Sequence, residues 1–259
     1  MTGARRAWGR GVSVCVALFV CTCVAASASA WATPTATLKV TPVPIPGFAG
    51  TGDILGAGAE AEVEMTIHGT EYGGSPSPLV GLTFYAPKGV RVIPTGFGTC
   101  TLAVLEADGP EGCSKRSNAG PTGEGLGVVS FGDTRVDEKV SINELFAPGG
   151  GLTFYVEGTT PSVFQIPEHA HWVAAGGQYG PELLVEVPLV ETVPDGYDAS
   201  ILSFKVAVGA AHRQGKKVIS YFMLPKTCPK GGAPLKAELK FMSGEVVTVT
   251  EKQPCPRRG

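Results

Sequence analysis

Polar and apolar positions alternate over much of the chain. In "AEAEVEMTIHG", Ala59, Ala61, Val63, Met65 and Ile67 share one parity, and Glu60, Glu62, Glu64, Thr66 and His68 share the other. Successive side chains of a strand point to opposite faces, so this period of two predicts a strand with one buried and one wet face. "SILSFKVAVGA" alternates more loosely. "KKVISYFML" is more uniformly apolar and suits a strand covered on both faces. Further strand-like runs are "ATLKVTP", "LVGLTFYAP", "GVVSFG", "EKVSINELF", "GLTFYVEG", "HAHWVAA" and "ELLVEVPLV". They are short and joined by Gly, Pro, Asp and Ser, a rhythm that predicts an all-β, antiparallel sandwich. No run has the period of a three-turn amphipathic helix, and only "LAVLEADG" suits a single helical turn.

Near the C-terminus "PLKAELKF" alternates, "SG" follows, and "EVVTVTEK" alternates again. Two turn residues between strand-like runs predict a hairpin. The hairpin disposes of another reading of "LPKTC", Leu224–Cys228, which looks like a wall-sorting signal with Cys in place of its final Gly. A sorting signal needs an apolar tail, and here a polar hairpin follows instead. "GLTFY" occurs at Gly81–Tyr85 and again at Gly151–Tyr155, but the flanks differ, which argues for a shared strand solution over duplication. Candidate internal boundaries are "APGGG" (147–151) and "VPDGYD" (193–198). Otherwise residues 31–259 read as one large domain or two packed lobes.

Composition agrees with turns and strands. Gly (36) and Pro (21) are abundant and charged residues make up only 17% of the chain. Arg5, Arg6 and Arg10 precede the apolar "GVSVCVALFVCTCVAAS", and Ala28-Ser29-Ala30 supplies small residues for cleavage. This is the pattern of a secretory signal over residues 1–30, with the cut expected after Ala30 and an uncleaved anchor as the alternative. Membrane contact is expected only through that segment. The signal holds three of the 21 basic residues and none of the 23 acidic ones, leaving 18 against 23 and a net charge of −5. No basic tract remains, so nucleic acid is excluded as an expected partner.

Four cysteines follow the cut: Cys100, Cys113, Cys228 and Cys255. In an exported chain they favour disulfides over metal binding. Three connectivities are possible. Nearest-neighbour pairing is preferred, because Cys100 and Cys113 flank one polar loop and Cys228 and Cys255 flank the last hairpin. Each bridge is expected to stabilise by about 2–4 kcal/mol.

Candidate chemistry is sparse. In "EHAHW", His169 and His171 fall on the same face of a strand, a spacing that can hold a transition metal, while Glu168 points to the opposite face. No carboxylate follows in "WVAAGGQYG". Glu60, Glu62 and Glu64 have the spacing of a carboxylate pair but also that of an ordinary wet face. "GPTGEGLG" (120–127), with Lys115 and Arg116 upstream, lacks the following helix that a phosphate loop needs. No G-x-S-x-G elbow is present. Trp172, Tyr179, Tyr197 and Tyr221 could stack on sugars, but nothing in the sequence gathers them on one surface.

Through "GFGTC…GCSKRSNAGPTGEG" and "LPKTCPKGGAPLKAELKFMSGEVVTVTEKQPCP" the chain resembles exported β-proteins of high-GC Gram-positive bacteria. Cys100, Cys113, Cys228 and Cys255 carry the likeness. The resemblance implies an immunoglobulin-like or related β-sandwich in the exported space, and it implies no activity. The expectation is a secreted or envelope-associated, non-enzymatic binding or structural module with an envelope or extracellular ligand and no cofactor. Two alternatives stand beside it. One is a secreted hydrolase acting on polysaccharide, with acids gathered from distant strands. The other is an exported metal-binding protein using His169 and His171.

Overall fold

The computed structural model describes residues 33–45, 55–131, 134–174 and 176–255. The expected export signal and its cut lie outside them. The chain adopts the expected antiparallel, sandwich-like all-β fold. In chain order the strands are β1 (Thr35–Pro44), β2 (Gly58–His68), β3 (Leu79–Pro87), β4 (Arg91–Val92), β5 (Gly123–Phe131), β6 (Thr134–Phe146), β7 (Leu152–Gly158) and β8 (Phe164–Ala174). They continue with β9 (Tyr179–Glu186), β10 (Ser200–Val208), β11 (Ala211–Gln214), β12 (Lys217–Ser220), β13 (Phe222–Met223), β14 (Ala233–Phe241) and β15 (Val246–Gln253). One helix, α1 (Leu102–Asp108), forms where "LAVLEADG" predicts a helical turn.

Among the described residues thirteen strands make one sheet in the order β15-β14-β3-β9-β8-β7-β6-β5-β10-β2-β13-β4, with β1 also on β2. Every pairing is antiparallel, and β5 to β9 follow one another as a meander. The sheet curls until β1 lies beside β15. It does not close there. The Val40 N–H donates to a Glu251 carboxyl oxygen at 2.7 Å instead of to a backbone carbonyl. Curling turns one parity of each strand inward. On β2 that parity is the apolar one read from the sequence, with Ala59, Met65 and Ile67 buried. The inner faces meet in one large core, and each large apolar side chain buried there contributes about 1.5–3 kcal/mol.

The two ends of the curled sheet differ. Both disulfides sit at the end where β5, β7 and β9 begin. Cys100 pairs with Cys113 (Cα–Cα 5.5 Å) and Cys228 with Cys255 (5.7 Å), the nearest-neighbour arrangement. The Cys100 N–H donates to the Phe146 carbonyl, and α1 buries Leu105 against Leu145 and Tyr155. At the other end, side chains tie the loops together. Arg135 lies between the rings of Tyr72 and Tyr197 and donates to Ser200 Oγ at 2.9 Å. Thr192 Oγ1 donates to the Ser130 carbonyl at 2.7 Å.

Two expected elements change. "KKVISYFML" is not one strand: the Tyr221 N–H donates to the Ala210 carbonyl, and the run divides into β12, paired with β11, and β13, paired with β2 and β4. "HAHWVAA" belongs to a longer strand, because β8 begins at Phe164 rather than His169. That extension decides how Glu168 is read.

Candidate functional site

The inner parity of β5 is Gly123, Gly125, Gly127 and Val129. Three glycines in alternate positions send no side chains inward, so β5 presents backbone where other strands present bulk. This is the Gly-rich stretch weighed above as a phosphate loop, and it is a strand. Close approach demands glycine: a Cβ on Gly125 would stand 2.8 Å from Val140 Cγ2, and one on Gly123 would stand 2.6 Å from the Lys205 carbonyl oxygen. Across from this stripe lies a cavity of about 180 Å³. Its wall is drawn from the inner faces of β2, β3 and β5 through β10, with Leu82, Ile142, Val156, Ile166, Leu183 and Phe204 among its aliphatic and aromatic surfaces.

Trp172 and Phe222 stand at the side of the cavity nearer the disulfides. The Trp172 Nε1–H donates to Tyr221 Oη at 2.8 Å, and the Tyr221 hydroxyl donates to the Gly150 carbonyl at 3.2 Å. Tyr221 is fully buried against Phe146, Phe97 and Phe222, and burial pushes its hydroxyl pKa well above the usual value. A second cavity of about 120 Å³ adjoins the first and shares Ala61, Phe84, Trp172 and Phe222 with it.

Two carboxyls face the first cavity, and their surroundings are opposite. Glu138, on the inner parity of β6, accepts three backbone N–H groups from the β7–β8 loop: Thr159 at 3.2 Å, Thr160 at 3.0 Å and Ser162 at 2.8 Å. Glu168 lies on the inner parity of β8 with Phe164, Ile166, Ala170 and Trp172. No side chain or backbone group among the described residues hydrogen-bonds or ion-pairs with it. It is half-buried, and desolvation by the apolar wall pushes its carboxyl pKa up to about 8. Among the described residues, no Lys, Arg or His lines the cavity. A third carboxyl, Glu144, is fully buried on the inner parity of β6. Its two oxygens lack hydrogen-bond partners, and burial, with a smaller contribution from the charge of Glu60, raises it to about 8.

The residues singled out in the sequence lie elsewhere. His169 and His171 share the outer face of β8, as their spacing predicts, and both are exposed. Among the described residues no three His, Cys, Asp or Glu side chains come together to hold a metal. In the glutamate ladder, Glu64 is an outer-face residue between Lys39 (3.2 Å) and Lys205 (3.3 Å), which lower its pKa. Glu60 is raised mainly by burial. The four aromatics separate: Trp172 and Tyr221 turn inward, Tyr179 packs on Tyr85, and Tyr197 packs on Tyr72. Sequence reasoning missed Glu138, Glu144 and Glu168. The signal was present, since each is a carboxyl on the apolar parity of its strand.

No helix among the described residues is long and apolar enough to cross a membrane. The chain matches no protein-family model, no curated protein and no solved structure.

Proposed function

We propose that this protein is an exported, non-enzymatic binding module that holds a small apolar molecule within its curled sheet. The observation that carries the reading is the apolar cavity of about 180 Å³ behind the glycine stripe of β5. Ligand sites are characteristically concave, mostly apolar and furnished with a few polar groups. A dry aliphatic cavity of about 150 Å³ is enough to admit benzene. Two disulfides support the exported setting, since such bonds persist in oxidising compartments.

The wall offers a polysaccharide little. Among the described residues its polar side chains are two carboxyls, two serines and the Trp172 indole; one carboxyl already accepts three backbone N–H groups, and the indole N–H already donates to Tyr221. Sugar hydroxyls buried there would lose water without replacement partners.

The test is calorimetric titration of the oxidised protein with p-xylene, alongside Val156→Phe. Val156 lines the cavity, and a phenyl ring there fills it. The expected result is saturable one-to-one binding that Val156→Phe weakens at least tenfold while the variant stays folded. Absence of binding, or equal binding by both proteins, overturns the reading.

A further inference from the structure

The cavity has a polar feature that a purely apolar ligand would not satisfy. Glu168 projects from β8 into a wall of Phe164, Ile166, Phe154 and Leu183, without a protein hydrogen bond. Glu168 is half-buried, and its carboxyl oxygens lie on the cavity surface, where a bound molecule can reach them. Glu138 shows how this fold satisfies a carboxyl when structure is the purpose: a loop wraps it with three backbone donors. Nothing wraps Glu168.

Resting on the cavity reading above, we propose that Glu168 is the ligand-recognising group of the cavity and that its ligand is a compact alcohol or phenol, an apolar body with one neutral hydroxyl. Size and charge both point there. A volume of about 180 Å³ suits a body on the order of ten non-hydrogen atoms, judged against the benzene-sized cavity above. An anionic head would sit beside a carboxyl with no Lys, Arg or His on the wall to balance it. An ammonium head would demand an ionised carboxylate in an apolar wall, and both charges would lose their hydration. A hydroxyl asks for neither. The protonated carboxyl, favoured at neutral pH by burial, donates to the hydroxyl oxygen, and its carbonyl oxygen accepts the hydroxyl proton. Among the described residues Glu138 is the only other ionisable group on this wall, and its oxygens already accept three N–H groups.

A matched series tests this: p-xylene, p-cresol, 4-methylbenzoate and 4-methylbenzylamine, titrated calorimetrically at pH 7 into the oxidised protein, Glu168→Gln and Glu168→Leu. The expected result is that p-cresol binds best in the native protein. Its affinity ratio over p-xylene should fall about tenfold in Glu168→Leu and much less in Glu168→Gln, whose amide still donates and accepts. If p-xylene binds and that ratio is unchanged in Glu168→Leu, the role of Glu168 is overturned while the cavity reading stands. If the amine is preferred and both variants lose it, Glu168 is a counter-ion and the hydroxyl assignment fails. If none of the four binds, the cavity reading fails first and takes this inference with it.

Discussion

Glu138 and Glu168 look into the same cavity from β6 and β8, and the regions around them are built differently. The β7–β8 loop closes over Glu138 and brings three N–H groups to its oxygens. Around Glu168 the neighbours are hydrocarbon, and the carboxyl is left to burial. One carboxyl therefore organises a loop, and the other adds nothing to the fold that an aliphatic residue would not. On the reading proposed above, the contrast separates a carboxyl that serves the fold from one that serves the ligand.

The sharpest way to break the contrast is to remove each carboxyl. Glu138→Ala removes the acceptor of three loop N–H groups and leaves a void at a fully buried side chain, and it should destabilise the protein by about 3–5 kcal/mol. Glu168→Leu removes an unpartnered acid from an apolar wall and should stabilise it by about 1–3 kcal/mol. Denaturant midpoints with unchanged m-values check both, and equal losses would erase the distinction. Replacing Cys228 and Cys255 by Ala should cost about 2–4 kcal/mol. That bridge lies at the end of the sheet away from the β7–β8 loop, so the difference between the Glu138 and Glu168 variants should persist in the reduced background within about 0.5 kcal/mol.

Titration sharpens the comparison next. Glu168 and Glu144 are raised to about 8 in the fold from an ordinary carboxyl value near 4.5. The folded state therefore holds protons that the unfolded chain has released, and stability should fall as pH rises from about 4.5 to about 8. Glu168→Gln should make that decline shallower, with Glu144 and its neighbour Glu60 sustaining the remainder. Chemical denaturation at pH 5, 6.5 and 8 measures the slopes, and parallel curves for the two proteins would contradict the burial of Glu168. The smallest effect belongs to the outer face. Glu64→Gln breaks two exposed ion pairs with Lys39 and Lys205 and should change stability by less than about 0.5 kcal/mol.

Much of the fold was legible in the sequence because alternation is a local property. The parity of β2 names its buried face, the Ser243-Gly244 turn predicts the β14–β15 hairpin, and cysteine positions alone suggest the two bridges. The site was less legible for two reasons. His169 and His171 drew the reading of β8 toward its outer face, and starting the strand at His169 hid Phe164 and Ile166, the residues that mark the Glu168 parity as apolar. In β6 the alternation Glu138, Val140, Ile142, Glu144, Phe146 was visible, but parity alone does not say which carboxyl meets a loop and which meets hydrocarbon. The glycine stripe of β5 was weighed in the sequence only as a phosphate loop. Its consequence, a wall without side chains, depends on what the other strands place opposite it, and that is a property of the whole sheet.

The most direct test of the central claim is to locate a bound probe. With isotope-labelled methyl groups and p-xylene at saturation, nuclear Overhauser contacts should connect the ligand's methyls to Ile142, Val156 and Leu183, three cavity-wall residues on three strands. Contacts confined to exposed apolar residues such as Val163 and Leu189, or no contacts at all, would contradict a binding site inside the sheet.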